Sequence, residues 1–325
     1  MNKKDFFKNF KLSLDSLEEE LTLRNCDENY SNIFILGLPR SGTTLLNQII
    51  QSATNCCVPN NLIARFWYAP LVGAHLSKFT LNTNILGDES YQSFFGQTAN
   101  ISQPHEFSLF WQNMMGYTLD QFGLLVRERP PDFERLKDKV LNFNNIFDAP
   151  AVWKPLELIL NDIEMIESMF GKGIFIFIDR SYKDIALSIY NARIKSKDSS
   201  VWWGSAPHSD EFPSIDRKDI MDQIIWQIKY FRKTYENKLK TIDKKRLLVI
   251  RFDDMCKQPN HLLHSIRDFS DKLGGKIKVS RKVSPFEIKK RGYVLNNMAE
   301  LLDPLNDSFG EKQFLFNMTT SEAND

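Results

Sequence analysis

Short apolar runs alternate with longer amphipathic segments along this chain. Four runs are continuous and rich in aromatic or β-branched residues, which predicts strands buried on both faces: Ile33–Leu36, Ala151–Trp153, Ile174–Ile178 and Leu247–Phe252. A helical pattern follows each run, roughly over Thr43–Ala53, Leu156–Phe170, Lys183–Lys195 and Asn260–Lys272. This alternation predicts an α/β fold in which helices flank a parallel sheet.

The segments outside this alternation predict further parts of the chain around the sheet. Residues 1–30 carry apolar and charged positions at helical spacing and predict an N-terminal helical extension. Residues 31–310 predict a single α/β domain, and 55–150 within it predict a mostly helical insertion or lid, because strand signals are few there and aromatics many. Turn-forming residues over 198–216 predict a mobile loop, and 311–325 predict a C-terminal tail with a disordered end.

The first strand leads into a glycine-bounded loop, Gly37–Gly42, which precedes Thr43 and Thr44. Strand, tight loop and helix N-terminus together direct backbone N–H groups and the positive end of a helix dipole at one point, which predicts a site for a phosphate or another tetrahedral anion. The spacing matches the P-loop pattern G-x-x-x-x-G-K-[ST], except that Thr43 replaces the lysine. Without that lysine the loop lacks the usual triphosphate clamp, and Arg40 can supply a bidentate cation instead.

Charged residues follow the predicted strands directly. They are Arg40, Lys154, Arg180 and Asp253. Ligands of parallel sheets bind at the carboxyl ends of the strands, so we expect these side chains to share one crevice. An apolar strand that ends in Asp179 also fits a magnesium-binding aspartate, which keeps a P-loop kinase or NTPase open as an alternative.

Several motifs resemble those of sulfotransferases that use 3′-phosphoadenylyl sulfate (PAPS), including bacterial-type members and tyrosylprotein sulfotransferases. Gly37–Leu46, read as GLPRSGTTLL, is similar to their 5′-phosphosulfate loop. Ile174–Arg180 with Ser188 is similar to their strand–Arg–helix–Ser motif. Ala151–Pro155 is similar to a K-x-P or K-[ST]-P element, and Leu248–Pro259 resembles a late strand-and-helix element.

The resemblance implies a PAPS donor, with adenosine 3′,5′-bisphosphate (PAP) as its product, and in-line sulfuryl transfer without a metal. It assigns donor binding to one set of residues: Arg40, Ser41, Gly42, Thr43 and Thr44 at the 5′-phosphosulfate, and Arg180 and Ser188 at the 3′-phosphate. Lys154 and Arg40 are the implied stabilisers of charge on the leaving oxygen.

The acceptor's proton requires a general base. Some relatives carry a catalytic Glu shortly after the loop helix, but here that region holds Asn60 and Asn61. The segment around His105 and Glu106, QPHEFSLFW, resembles one in bacterial-type members, and we prefer Glu106, then His105, as the base.

Composition and charge give no support for a nucleic-acid-binding, membrane-spanning or zinc-binding protein. The chain has 325 residues and a formal net charge of +1, which gives no bulk electrostatic case for nucleic acid. No apolar stretch is long enough for a transmembrane helix, and no signal peptide is expected. The four cysteines lack zinc-ligand spacing, so we expect no metal site and a cytoplasmic location.

The leading hypothesis is a PAPS-dependent sulfotransferase that acts on a hydroxyl or amine of a small-molecule, glycan or lipid-linked acceptor. The alternatives are a P-loop kinase or NTPase, and a non-catalytic PAP-binding protein that lost its base. The identity of the acceptor and the oligomeric state do not follow from the residues.

Overall fold

A computed structural model describes residues 13–81, 91, 93, 96, 98–195, 204–208, 220–287, 298–310 and 314–316. Its strands are β1 (Asn32–Gly37), β2 (Tyr117–Leu119), β3 (Leu125–Arg127), β4 (Ala151–Trp153), β5 (Ile174–Asp179) and β6 (Leu247–Arg251). The four strands predicted from apolar runs are therefore confirmed, with β6 ending one residue earlier than predicted.

The helices cover most of the remaining described chain. They are α1 (described over residues 13–20), α2 (Thr43–Ala53), α3 (Asn61–Ala64), α4 (Pro70–Thr80), α5 (Ser108–Met115), α6 (Phe133–Phe147), α7 (Ile163–Met169), α8 (Tyr182–Lys195), α9 (Ile220–Lys238), α10 (Phe252–Lys257), α11 (Pro259–Lys272) and α12 (Met298–Phe309). Two 3₁₀ helices, Leu156–Asp162 and Leu239–Thr241, precede α7 and follow α9. No helix in these described ranges is long and apolar enough to cross a membrane.

The main sheet has four parallel strands in the order β4-β1-β5-β6. Its two faces differ in composition. Aromatic residues such as Phe34 and Phe175 point to one face, where their rings stack at 5.2 Å. Isoleucines such as Ile35 and Ile176 point to the other face and pack with α2 and α11. Both layers are buried, which confirms the predicted α/β fold with a helix-flanked parallel sheet.

The described part of the segment 55–150 contains the helices α3 to α6. It also contains an antiparallel hairpin of β2 and β3, which the sequence did not predict. The N-terminal segment contacts this insertion: Glu18 accepts hydrogen bonds from the backbone of Leu71 and Val72 at the start of α4, and lies 3.0 Å from Lys139 of α6. The proposed limits of the domain, extension and tail stay predictions.

One helix prediction was wrong in its first half. The sequence predicted a continuous helix over Leu156–Phe170, but the chain forms a 3₁₀ helix before α7 begins at Ile163. The physical reason lies at its start, where Leu156 follows Pro155 and takes a left-handed φ of 51°. That conformation is incompatible with a regular α-helix and turns the chain beside the candidate site.

Candidate active site

The loop between β1 and α2 has the conformation of an anion cradle. Arg40, with φ 67°, and Gly42, with φ 107°, are both left-handed. A Cβ on Gly42 would lie 2.6 Å from the ring of Phe252, so a larger residue fits neither the backbone nor the space. The backbone therefore crosses close to α10 and enters α2 at Thr43.

The N-terminus of α2 is free of competing groups. Its Gly42 N-cap supplies no side-chain cap, and its first turn holds no acidic residue. The hydroxyl of Ser41 is fully buried and has no hydrogen-bond partner among the described residues. The first N–H groups of a helix have no intrahelical partner, and the dipole there is positive. These features fit a tetrahedral anion at this point.

Side chains from three elements meet behind the loop. Arg40 Nε donates to Ser188 Oγ of α8 at 3.1 Å. Arg180, which follows β5, donates from Nη1 to the backbone oxygen of Arg40 at 2.8 Å. Its guanidinium also stacks 4.1 Å above the ring of Phe252. The loop motif and the Arg–Ser motif are thus joined directly.

Lys154 links the loop to the insertion. Its Nζ donates to Thr44 Oγ1 at 2.8 Å and to Glu106 Oε1 at 2.5 Å. The Lys154 side chain is 2% exposed, whereas that of Glu106 is 34% exposed. Thr44 in turn donates to the backbone oxygen of Gly96 at 3.3 Å. The buried ammonium is therefore held between the anion loop and a carboxylate that solvent, or an acceptor, can reach.

The imidazole ring of His105 is hydrogen-bonded to the backbone. Its Nδ1 accepts the N–H of Phe107 at 2.8 Å, so in this geometry the ring is the neutral tautomer that carries its proton on Nε2. Burial lowers the pKa of His105; the adjacent Glu106 opposes that shift and Lys154 adds to it. Phe107 itself is left-handed, with φ 59°, and this turn orients Glu106 toward Lys154.

Seven of the predicted residues, Arg40, Gly42, Thr43, Thr44, Glu106, Lys154 and Arg180, line one cavity of about 110 Å³. Its lining is Pro39, Arg40, Gly42, Thr43, Thr44, Leu45, Ser93, Gly96, Glu106, Lys154, Leu156, Arg180, Gly204 and Ser205. Three cations face a single carboxylate in this set, so the cavity has an excess of positive charge suited to an anionic ligand. The other predicted residues do not line the cavity: Ser188 Oγ contacts Arg40, Ser41 is fully buried within the loop, His105 lies outside the lining, and Asp253 is exposed and also outside it.

Asp179 lies at the end of β5, but its carboxylate is fully engaged elsewhere. It forms an ion pair of 2.7 Å with Arg251 and accepts the backbone N–H groups of Leu315 and Phe316, each at 3.1 Å. The residue is 2% exposed and absent from the cavity lining. Within the described ranges, no group of three or more His, Cys, Asp or Glu side chains could hold a metal ion.

One residue beside the site was missed from sequence, and two others belong to the loop predicted over 198–216. Glu157 lies buried in the 3₁₀ helix after Lys154, and Gly204 with Ser205 forms one wall of the cavity. A lone Glu within the apolar run LELIL was the available signal for the first. Parts of the chain lie outside the described ranges, among them Trp202 and Trp203 of the loop predicted over 198–216, the basic segment Lys289–Gly292 and the end of the tail.

The chain belongs to the Sulfotransferase family, whose pattern it matches over residues 32–271. That range contains the loop, Glu106, Lys154, Arg180 and Ser188. The family membership agrees with the resemblance carried by the motifs. No curated protein sequence matches the chain.

Solved sulfotransferase structures are similar to this chain at low identity. Sulfotransferase STF9 from Mycobacterium avium is 15% identical with a TM-score of 0.44, over 76% of this chain and 65% of STF9, so this chain spans less than two thirds of that protein. Sulfotransferase STF1 from Mycobacterium tuberculosis H37Rv is 12% identical with a TM-score of 0.47, over 82% and 72% of the two chains. A sulfotransferase from Alicyclobacillus acidocaldarius is 15% identical with a TM-score of 0.40, over 85% and 90%.

Proposed function

We propose that this protein is a PAPS-dependent sulfotransferase that transfers a sulfuryl group to a hydroxyl or amine without a metal ion. The observation that carries the proposal is the position of Lys154 between Thr44 of the anion loop and the carboxylate of Glu106. One buried cation thereby contacts both the donor-binding loop and a candidate base. A cytoplasmic location is part of the proposal, supported by four cysteines that are all free thiols.

The loop and its neighbours bind the donor. Backbone N–H groups at the start of α2 and the hydroxyls of Thr43 and Thr44 hold the 5′-phosphosulfate. Arg180 and Ser188 bind the 3′-phosphate. Both form hydrogen bonds with Arg40 of the loop. Guanidinium groups suit this task because they bind phosphate in a bidentate manner.

Lys154 and Arg40 supply the charge stabilisation. PAPS provides the sulfuryl group, and its transfer in line leaves negative charge on the bridging oxygen of the nucleotide. A buried ammonium held by two oxygen partners is preorganised for that charge, since it needs no reorientation from water. Removal of such a donor commonly costs about 10²–10³-fold in rate.

Glu106 is the residue that accepts the acceptor's proton. Its carboxylate is partly exposed and adjoins the cavity, while Lys154 fixes its position from the donor side. His105 is a poorer candidate because its unprotonated nitrogen is already bonded to the backbone of Phe107. We therefore assign His105 to the positioning of Glu106.

The kinase alternative depends on Asp179 as a magnesium ligand. Its carboxylate instead binds Arg251 and the N–H groups of Leu315 and Phe316, which argues against that role. A non-catalytic PAP-binding protein would have no use for a carboxylate beside Lys154. The retained Glu106 therefore favours an enzyme over that alternative.

The direct test is a screen of hydroxyl and amine acceptor pools, comprising small phenols, glycans and lipid-linked sugars, with ³⁵S-labelled PAPS. We expect label transfer to one pool in buffer that contains EDTA, and its loss in Glu106→Gln. The exposed Glu164→Gln on α7 is the matched control and should transfer label at the wild-type rate. Release of γ-phosphate from ATP with magnesium, and no transfer from PAPS, would refute the proposal.

A further inference from the structure

A second carboxyl group lies behind the cavity, and the roles above leave it unassigned. Glu157 belongs to the 3₁₀ helix that follows Lys154, and only 9% of its surface is exposed. Its Oε1 accepts the backbone N–H of Ala206 at 3.0 Å. Ala206 immediately follows Gly204 and Ser205, which form the cavity wall. A buried carboxyl is thus bonded directly to the backbone of that wall.

The wall segment, residues 204–208, has further anchors on the side away from the cavity. Gln227 of α9 donates to the backbone oxygen of Ser205 at 2.8 Å, and Leu125 of the hairpin donates to that of Pro207 at 2.8 Å. Glu157 is the anchor that comes from the same short segment as Lys154. It therefore couples the position of the wall to the position of the ammonium.

We propose that Glu157 is a positioning residue for the transfer, which holds the Gly204–Ser205 wall against the sulfuryl site through the N–H of Ala206. This inference rests on the proposed function for the reaction it serves. The hydrogen bond itself does not depend on that function.

Glu157 performs this role in its protonated form, which predominates below about pH 7. The charge of Glu106, from the segment before α5, acts on Glu157. Burial and then the charge of Glu157 raise the pKa of Tyr235 of α9, whose hydroxyl is bonded to the N–H and the carbonyl of Gly37. Burial raises the pKa of Glu157 to about 7, and the charge of Glu106 adds to that shift. A neutral carboxyl adds no negative charge to a site that must hold an anionic donor. Ionisation above neutral pH would oppose donor binding and charge development.

Two substitutions separate the hydrogen bond from the charge. Glu157→Gln keeps an oxygen that accepts the N–H of Ala206 but cannot ionise, whereas Glu157→Leu removes the acceptor. Glu164→Leu, at an exposed position of α7, controls for the substitution itself. The readouts are amide hydrogen exchange at Ala206, PAP affinity by calorimetry, and the pH profile of sulfate release from labelled PAPS with water as the acceptor.

We expect exchange at Ala206 to be at least tenfold faster in Glu157→Leu, and within twofold of wild type in Glu157→Gln and Glu164→Leu. PAP affinity should change less than threefold in all three variants, which also shows that they are folded. PAPS turnover should fall at least tenfold in Glu157→Leu and be restored in Glu157→Gln. The wild-type decline above about pH 7 should be absent from Glu157→Gln.

Unchanged exchange at Ala206 in Glu157→Leu would overturn the inference, and so would a Glu157→Gln variant as impaired as Glu157→Leu. If Glu157→Leu does not fold, loss of the alkaline decline in Glu157→Gln decides the question, and its persistence refutes the inference. A wild-type protein that neither binds PAP nor transfers label from PAPS to any acceptor pool would refute the proposed function instead. Exchange at Ala206 would still report on Glu157 in that case.

Discussion

The ammonium of Lys154 lies 2.5 Å from a carboxylate oxygen of Glu106, and the two residues come from opposite sides of the cavity. Lys154 follows β4, an edge strand of the sheet, whereas Glu106 belongs to the insertion. The pair therefore connects the sheet and its anion loop to the insertion, which in the proposed function are the donor side and the acceptor side. A buried ion pair of this kind also fixes the geometry of both groups, since separation of the charges would leave one of them uncompensated.

Lys154→Met should reduce the rate of sulfuryl transfer by about 10²–10³-fold, because it removes the cation that faces the leaving oxygen and retains the volume of the side chain. PAP affinity should change little, since the phosphate-binding arginines are intact. Steady-state kinetics with PAPS and calorimetry with PAP test this. Lys238→Met, at a partly exposed position of α9, is the control. Equal losses in both variants would show a non-specific effect and contradict the assignment.

Glu106→Gln should reduce transfer by about 10²–10⁴-fold while PAP binding is retained, because a general base is removed and its shape is kept. His105→Asn should retain most of the activity, since the asparagine oxygen can accept the N–H of Phe107 in place of Nδ1. Parallel kinetics of the two variants distinguish the base from its positioning neighbour. Loss of activity in His105→Asn with full activity in Glu106→Gln would reverse the two roles.

Arg180→Ala should weaken PAP binding by about 10–100-fold, consistent with a lost charge-assisted contact. Affinity for adenosine 5′-phosphate, which lacks the 3′-phosphate, should fall much less. Calorimetry with both nucleotides gives the two ratios. Arg232→Ala is a matched control, because the Arg232 guanidinium stacks on Tyr182, away from the cavity lining. Equal losses for both nucleotides in Arg180→Ala would remove Arg180 from the 3′-phosphate site.

The free energy of unfolding should depend on pH because Glu157 titrates differently in the folded and unfolded states. Its folded pKa of about 7 lies above the ordinary value of 4.5, so the folded state binds this proton more tightly than the unfolded state. The contribution is fully present below pH 4.5 and is lost as pH rises through about 7, a change of about 3 kcal/mol. Urea unfolding of wild type and Glu157→Gln at pH 4.5 and pH 8 measures this difference. A difference that does not change with pH would contradict it.

The sheet and the loop could be predicted from the sequence because each depends on a pattern of neighbouring residues. Buried parallel strands are continuously apolar, and Gly42 combines a turn with a helix start, so the predicted α2 agrees with the observed Thr43–Ala53 at both ends. The helix predicted over Leu156–Phe170 failed because its first turn is set by tertiary structure. Leu156 is left-handed, and Glu157 is buried against Ala206. These tertiary constraints replace the α-helix that the periodicity predicts there.

The residue that we propose as the general base could not be predicted from the spacing of residues in the sequence alone. Asn60, in the region where relatives hold a glutamate, caps α3 by accepting the N–H groups of Leu62 and Ile63. Its neighbour Pro59 accepts the N–H of His105 at 2.8 Å. The segment after α2 thus supports the segment that carries Glu106. Such pairing between distant segments leaves no periodic signal, so the sequence could offer Glu106 only by resemblance.

The central claim is that the loop serves a 5′-phosphosulfate donor without a metal. Calorimetric titration of the wild-type protein with PAP in EDTA, and separately with ATP in magnesium, tests it most directly. We predict that PAP binds without metal, with an affinity at least 100-fold higher than that of ATP with magnesium. Binding of ATP with magnesium alone, with no heat from PAP, would contradict the account.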